Sequence, residues 1–254
     1  MGNLVNPLKI ALAEGRLQIG LWSSLGSTVA TEVLAGAGYD WLLIDAEHSP
    51  NDLLSVLAQH QAAAAFSCEI VVRVPCSDPV LIKQILDLGI RSLLFPNVQS
   101  VEEATAIVAA TRYPPHGIRG YSAAQRANNY GRVKNYHLRA AEEIFLAVQI
   151  ESAAAVEAAH TIAGIDGVDA IFVGPGDLSA DMGNIGNPLA DRVQQAIRSV
   201  LSANGLAATG ILAPQTGDAR RYIEWGATMV AVGSDLGLLV KNADMLAREF
   251  RQAI

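Results

Sequence analysis

Asp45-Ala-Glu47-His48 places two carboxylates and an imidazole in one short stretch, directly after the apolar run Trp41–Ile44. An imidazole that titrates near neutrality is a natural general base, and a neighbouring acid can fix its tautomer. The plain alternative for His48 is a structural role beside the strand. Arg73 sits at the end of the run Glu69–Val74. Its planar fork suits an oxyanion or a carboxylate, and a salt bridge to Asp45 or Glu47 is the simpler use. Glu151 and Asp177 follow two later apolar runs, with no cysteine or histidine pair beside them. Two such carboxylates suit a hard cation, Mg2+ or Mn2+, which keeps waters or substrate oxygens on its open positions. Otherwise they are exposed loop acids, with Asp177 capping the helix that follows. In Gly174-Pro-Gly-Asp-Leu-Ser179 the glycines permit close backbone approach, so the Gly176 and Asp177 amides can receive a carboxylate at a helix start. Gly-Pro-Gly is also a common turn.

These residues need a scaffold that brings them together. Short apolar runs alternate with longer amphipathic ones along the whole chain. The expected strands are Gln18–Trp22, Trp41–Asp45, Glu69–Val74, Ser92–Pro96, Ile144–Ile150, Ala170–Gly174, Ala207–Leu212 and Met229–Gly233. Continuous Val/Ile/Leu runs fit parallel strands buried on both faces. Expected helices include Leu53–Ala64, Val80–Leu88, Val101–Thr111 and Ala153–Ala163. Ser77-Asp78-Pro79 and Ser100 supply start signals, and Gly38, Gly89, Gly164, Gly205 and Gly226 supply stops. Eight strand–helix units close most naturally into a single-domain (β/α)8 TIM barrel spanning 1–254. A doubly wound sheet is second, since no Gly-x-Gly-x-x-Gly follows the first strand. Barrel chemistry sits at the C-terminal strand ends, where Trp22, Asp45, Arg73, Asn97, Gln149, Glu151 and Asp177 fall. The segment 113–143 breaks the rhythm and reads as a long structureless excursion, a lid or a subunit contact.

Composition narrows the rest. The 254 residues carry a formal charge of −7 and no basic run, which argues against a nucleic-acid footprint. No apolar stretch reaches membrane-spanning length, and Met1–Leu12 is too short and mixed for a signal segment. Two cysteines, Cys68 and Cys76, flank one extended run, so a reducing cytoplasm is the expected location. The lysines are Lys9, Lys83, Lys134 and Lys241, none at an expected strand end. A Schiff-base mechanism needs a lysine in the barrel mouth, which leaves metal stabilisation of an enolate.

Taken in order, GLWSSLGS, LAGAGYDWLLIDAEHSPND, VVRVP, RYPPHGIRGY, VQIES, GPGDLSADMG and VAVGSD resemble the HpcH/HpaI family of class II pyruvate aldolases. The likeness runs from about Gly15 to Phe250. It is strongest to members that cleave 4-hydroxy-2-oxoheptanedioate in aromatic catabolism, with 2-keto-3-deoxy sugar-acid aldolases beside them. The resemblance implies a homohexamer with the last helix swapped between subunits, and a divalent metal (Mg2+, Mn2+ or Co2+) on Glu151 and Asp177. It implies no nucleotide cofactor. By the same likeness His48 is the base, and Arg73 contacts the ketoacid carbonyl and enolate oxygen. Asp45 and Asp87 support the histidine, partly across a subunit boundary. Gln149 lies beside the site, the Gly176 and Asp177 amides take the carboxylate, and Trp22 and Leu212 line the pocket. Gly176 stands where many relatives have Ala, and His116 and Ala124-Gln125 depart from the family pattern in the loop. The expected reaction splits a 4-hydroxy-2-ketoacid into pyruvate and an aldehyde. The alternatives are a CoA-thioester lyase of the citramalyl or malyl type, and a non-catalytic barrel that binds a metabolite.

Overall fold

The computed structural model describes residues 5–203 and 207–252. Gly205, expected to end a helix, lies outside them. Strands β1 (Gln18–Ser23), β2 (Trp41–Asp45), β3 (Glu69–Arg73), β4 (Ser92–Phe95), β5 (Phe145–Ile150), β6 (Ala170–Val173), β7 (Ala208–Leu212) and β8 (Met229–Ser234) pair in sequence order. Every pairing is parallel and β8 closes on β1. The sequence-based spans agree with these to within a residue or two, because both faces of each strand are buried and the apolar runs coincide with the strands.

Helices α1 (Pro7–Ala13), α2 (Thr28–Ala35), α3 (Leu53–Ala63), α4 (Pro79–Asp87), α5 (Val101–Thr111), α6 (Tyr136–Glu143) and α7 (Ala153–Ala163) precede α8 (Pro175–Asp181), α9 (Asp191–Leu201), α10 (Thr216–Glu224) and α11 (Asp235–Gln252). Asp78 and Ser100 cap α4 and α5 through their side chains, as their positions suggest. An outer core fills the space between strands and helices. A separate inner cluster fills the barrel itself, with Trp22, Trp41, Leu43, Val71, Leu94, Ala147 and Phe172 among its members. These are alternate residues on their strands, so the period of two carries inward layers up to the polar mouth. Gly20 faces the Trp41 indole so closely that any Cβ would overlap the ring. Leu8 and Leu12 of α1 plug the opposite end.

One expectation changes at 113–143. The segment is not structureless: it holds the 3-10 turn Arg126–Asn128 and α6. It joins the C-terminus of α5 to the start of β5, which places it at the end of the barrel opposite the strand C-termini. Its contacts with Asp87 and Leu88 at the C-terminal end of α4 hold it on that side. Arg119 anchors the segment. Its fully buried side chain pairs with Asp87 at 2.8 Å and lies over the Tyr113 ring at 4.5 Å. Arg126 Nη1 donates to the Leu88 carbonyl at 2.6 Å.

α11 is different from every other helix. All of its described side chains beyond Asp235 are exposed, Leu236, Leu239, Val240, Leu246 and Phe250 among them. No helix of the described residues is long and apolar enough to cross a membrane.

Candidate active site

Register sets the first contact. Asp45 and Arg73 are direct partners across β2 and β3. Both point into the barrel, two residues above Leu43 and Val71. Arg73 Nε and Nη2 donate to the two carboxylate oxygens of Asp45 at 2.9 and 2.7 Å. Arg73 Nη1 lies 3.1 Å from Glu47 and 3.5 Å from Gln149 Oε1. The Arg73 guanidinium stands 5.6 Å from the Trp22 ring centroid. The salt bridge foreseen as the simple use of Arg73 is thus present, and its Nη1 edge still faces the polar centre. Burial works against both charges of the pair. The Arg73 hydrogen bonds nonetheless hold Asp45 below its ordinary range, helped by the Glu47 and His48 N–H groups, while Asp45 and Glu47 hold Arg73 cationic.

Asp45 also shapes the loop after β2. Its Oδ1 accepts the backbone N–H of Glu47 at 3.0 Å and of His48 at 3.3 Å. The imidazole of His48 is turned outward and two-thirds exposed, with Nε2 3.8 Å from Glu47. Within one chain, then, the acid beside the His48 ring is Glu47, and Asp45 holds the loop through its backbone. Asp87, the last residue of α4, lies at the far end of the barrel with Arg119. The structure does not bring it to His48 of the same chain.

Gln149 and Glu151 share a face through the period of two. Gln149 Nε2 donates to Glu151 Oε2 at 2.8 Å, and the Asn97 N–H donates to Glu151 Oε1 at 2.6 Å. Asn97 adopts a left-handed backbone, φ 51°, which turns that N–H toward the carboxylate. Asp177 lies in the first turn of α8, whose N-cap is Gly174. It is therefore not the cap of that helix, and its exposed carboxylate accepts no hydrogen bond among the described residues. Its charge acts on both Glu151 and Glu47. Burial pushes Glu151 up to about 7 and raises Glu47, with the other carboxylates adding to each shift. Leu212 ends β7 and packs against the cluster containing Trp22. The Gly176 and Asp177 N–H groups open the helix without backbone partners among the described residues.

Among the described residues no three His, Cys, Asp or Glu side chains gather into a closed metal cluster. The donor set is instead two carboxylates with a third, Glu47, nearby, and one cation already committed to Asp45. That set of oxygen donors, with Glu151 buried, Glu47 half-buried and Asp177 exposed, fits a hard divalent ion with open coordination positions.

Two positions that the residue types did not reveal complete the geometry. Glu47, expected only as a neighbour of His48 or as a bridge to Arg73, is the one acid that meets both. Gly174 lies two residues past Phe172 and faces inward, where a Cβ would overlap the Glu151 carboxylate and crowd Gln149 Nε2. Inward alternation along β6 was the available signal. Gly174→Ala is expected to displace Glu151 and weaken Mn2+ binding about tenfold or more while the barrel stays folded, read by electron paramagnetic resonance titration.

Comparison with known proteins gives the family. Residues 18–242 match the model of the HpcH/HpaI aldolase/citrate lyase family. The chain is 49% identical to a 5-keto-4-deoxy-D-glucarate aldolase of Enterobacter sp. (strain 638), over 97% of both chains. A crystal structure of an HpcH/HpaI aldolase/citrate lyase family protein from Burkholderia cenocepacia J2315 superposes with TM-score 0.94 at 40% identity, covering 97% of this chain and 100% of that one. The citrate synthase SbnG superposes with TM-score 0.87 at 26% identity over 99% of each chain. The chain belongs to the HpcH/HpaI aldolase/citrate lyase family and is a carbon–carbon lyase.

Proposed function

We propose that this member of the HpcH/HpaI aldolase/citrate lyase family reversibly cleaves a 4-hydroxy-2-ketoacid into pyruvate, or a close 2-ketoacid, and an aldehyde. The observation that carries the reading is the Nη1 edge of Arg73, 3.1 Å from Glu47 and 3.5 Å from Gln149, whose own amide donates to Glu151 at 2.8 Å. Glu151 and Asp177 would hold a divalent cation, which when bound would supply charge stabilisation where the enolate oxygen forms. Arg73 donates to that same oxygen, which is where negative charge develops. The amides of Gly176 and Asp177 orient the substrate carboxylate at the start of α8, and Trp22, Gln149 and Leu212 wall the ketoacid side. His48 takes the proton of the 4-hydroxyl as the C3–C4 bond breaks. The bond's electron pair passes into the enolate, the aldehyde leaves, and protonation at C3 gives the ketoacid.

The similarity to 5-keto-4-deoxy-D-glucarate aldolases favours a sugar-acid substrate over the aromatic-pathway substrate that the motifs resembled. A CoA thioester is disfavoured, because Arg119 is buried against Asp87 and Arg126 binds the Leu88 carbonyl, so neither offers a nucleotide groove. The bare apolar stripe of α11 supports assembly into a homohexamer through a swapped helix, in which Asp87 would serve the His48 of a neighbouring copy. Cys68 and Cys76, both unpaired, suit a cytoplasmic setting.

The test is pyruvate release, coupled to lactate dehydrogenase, over a panel including 5-keto-4-deoxy-D-glucarate and 4-hydroxy-2-oxoheptanedioate. Activity is expected to vanish on chelation and to return with Mg2+, Mn2+ or Co2+. Full activity in excess chelator would overturn the metal-assisted reading and restore a metal-free one.

A further inference from the structure

The loop that carries Asp45, Glu47 and His48 is tied to the barrel wall from behind by side chains that touch no reacting atom. Asn51 reaches back over the loop, and its Nδ2 donates to the Asp45 carbonyl at 2.7 Å. Its Oδ1 accepts from Gln59 Nε2 at 2.7 Å and from Ser55 Oγ at 3.0 Å. This arrangement fixes which way the Asn51 amide faces, because the reverse would set its NH2 against the Gln59 NH2. Gln59 is wholly buried on the inner side of α3. Its Nε2 also donates to the Ser55 carbonyl at 3.1 Å, and its Oε1 accepts from Thr31 Oγ1 at 3.0 Å.

The chain continues to the first residue of α11. Ser23 Oγ stands 3.4 Å from Gln59 Oε1, 3.3 Å from Thr31 Oγ1 and 3.4 Å from Asp235 Oδ2, and its single proton serves one of them at a time. Asp235 accepts the N–H groups of Ser24 at 2.8 Å and Leu25 at 3.1 Å, which fixes the exit of β1. Ser23, Thr31 and Gln59 are all fully buried. A buried amide whose every group is matched is a rigid part of the wall, since any shift leaves a donor or acceptor without a partner.

We propose that Gln59 and Asn51 are positioning residues, which hold the loop 45–52 so that His48 stands at a fixed place beside the ketoacid. The proposal rests on the aldolase reading for its kinetic consequence and on geometry alone for its structural one. Apolar filling at Gln59 keeps the core occupied, whereas Asn51→Asp keeps the volume and the acceptor toward Gln59 and sets a carboxylate oxygen, in place of the donor, against the Asp45 carbonyl.

The experiment compares Gln59→Met, Asn51→Ala and Asn51→Asp with the wild-type chain, each as the full assembled enzyme. Hydrogen–deuterium exchange is expected to rise in peptides covering 45–52 and to stay unchanged over 145–151. The kcat for pyruvate release is expected to fall about tenfold or more, with KM and the Mn2+ dissociation constant each within about twofold. Asn51→Asp is expected to lose at least as much as Asn51→Ala, because both remove the donor to Asp45 and the carboxylate also repels its carbonyl. Wild-type exchange over 45–52 together with wild-type kcat in Asn51→Asp would overturn the proposal. If the wild-type enzyme itself releases no pyruvate, the aldolase reading fails, and exchange over 45–52 still decides the positioning role.

Discussion

Glu151→Gln is expected to abolish metal-dependent cleavage, by about 10³-fold or more in kcat, and at the same time to stabilise the metal-free protein above neutral pH. The two effects have one cause. Burial, assisted by the charges of Asp177 and Glu47, raises Glu151 to about 7 from its ordinary 4.5. A carboxyl whose folded value is raised binds its proton more tightly in the native state. The associated penalty is absent below the unfolded value, grows as pH climbs from 4.5 toward 7, and is fully present above that. It amounts to about 3 kcal/mol in the metal-free protein. Glutamine does not ionise, so it escapes that penalty, but its NH2 must face either the Asn97 N–H or the Gln149 NH2. One such donor–donor meeting costs about 1–3 kcal/mol, leaving a net gain of about 1 kcal/mol. Differential scanning calorimetry of chelated protein should show the variant melting about 2–4 °C higher at pH 8 and no higher at pH 4.5. Added Mn2+ should raise the wild-type melting temperature and leave the variant unmoved. A variant that melts lower than wild type at both pH values would mean that Glu151 is a satisfied structural carboxylate, not an acid strained for a cation.

The barrel was legible because parallel strands buried on both sides must be apolar throughout. Trp41–Ile44 and Ile70–Val72 could hardly be anything else once the helices between them were seen. The mouth was legible for a related reason: Asp45, Arg73 and Glu151 are charged residues at the ends of apolar runs, where burial without purpose is costly. Relations between strands were not legible. That Arg73 would spend two of its donors on Asp45 follows from the β2–β3 register, which no single strand reveals. Gly174 matters only because Glu151 lies beside it, just past the end of the neighbouring strand. Gln59 reads in sequence as an ordinary polar residue on a helix, and only its packing against Thr31, Ser23 and Asn51 shows why a glutamine stands in the core. The segment 113–143 was legible as a break in the rhythm, but the 3-10 turn and α6 inside it were not. Its side of the barrel is set by Arg119 on Asp87 and Arg126 on the Leu88 carbonyl, pairings that its Gly, Asn and Tyr content does not announce.

Arg73→Lys should separate the structural role of this residue from its chemical one. Arg73→Ala is the less informative change: it leaves Asp45 buried without a counter-charge, a loss of about 3–5 kcal/mol that would mix unfolding with catalysis. Lysine keeps the positive charge against Asp45, so the barrel mouth should remain folded. What lysine cannot do is bind both oxygens of Asp45 and still present a fixed donor toward Glu47 and Gln149, as the three nitrogens of Arg73 do. If that third nitrogen meets the enolate oxygen, its loss removes one preorganised donor and should cost about 10²–10³-fold in kcat, with a smaller change in KM. The reading can be taken without any aldehyde. Exchange of the pyruvate methyl protons in D2O, followed by proton NMR, reports enolate formation by itself and should fall in the same proportion as cleavage. Exchange at the wild-type rate would place Arg73 outside the enolate's surroundings and reduce it to the partner of Asp45. Loss of exchange in a variant with an unchanged melting temperature would assign it to the reacting oxygen. The salt bridge would then be the device that aims the third nitrogen, since two bonds to a carboxylate fixed by β2 leave the guanidinium plane no freedom to turn.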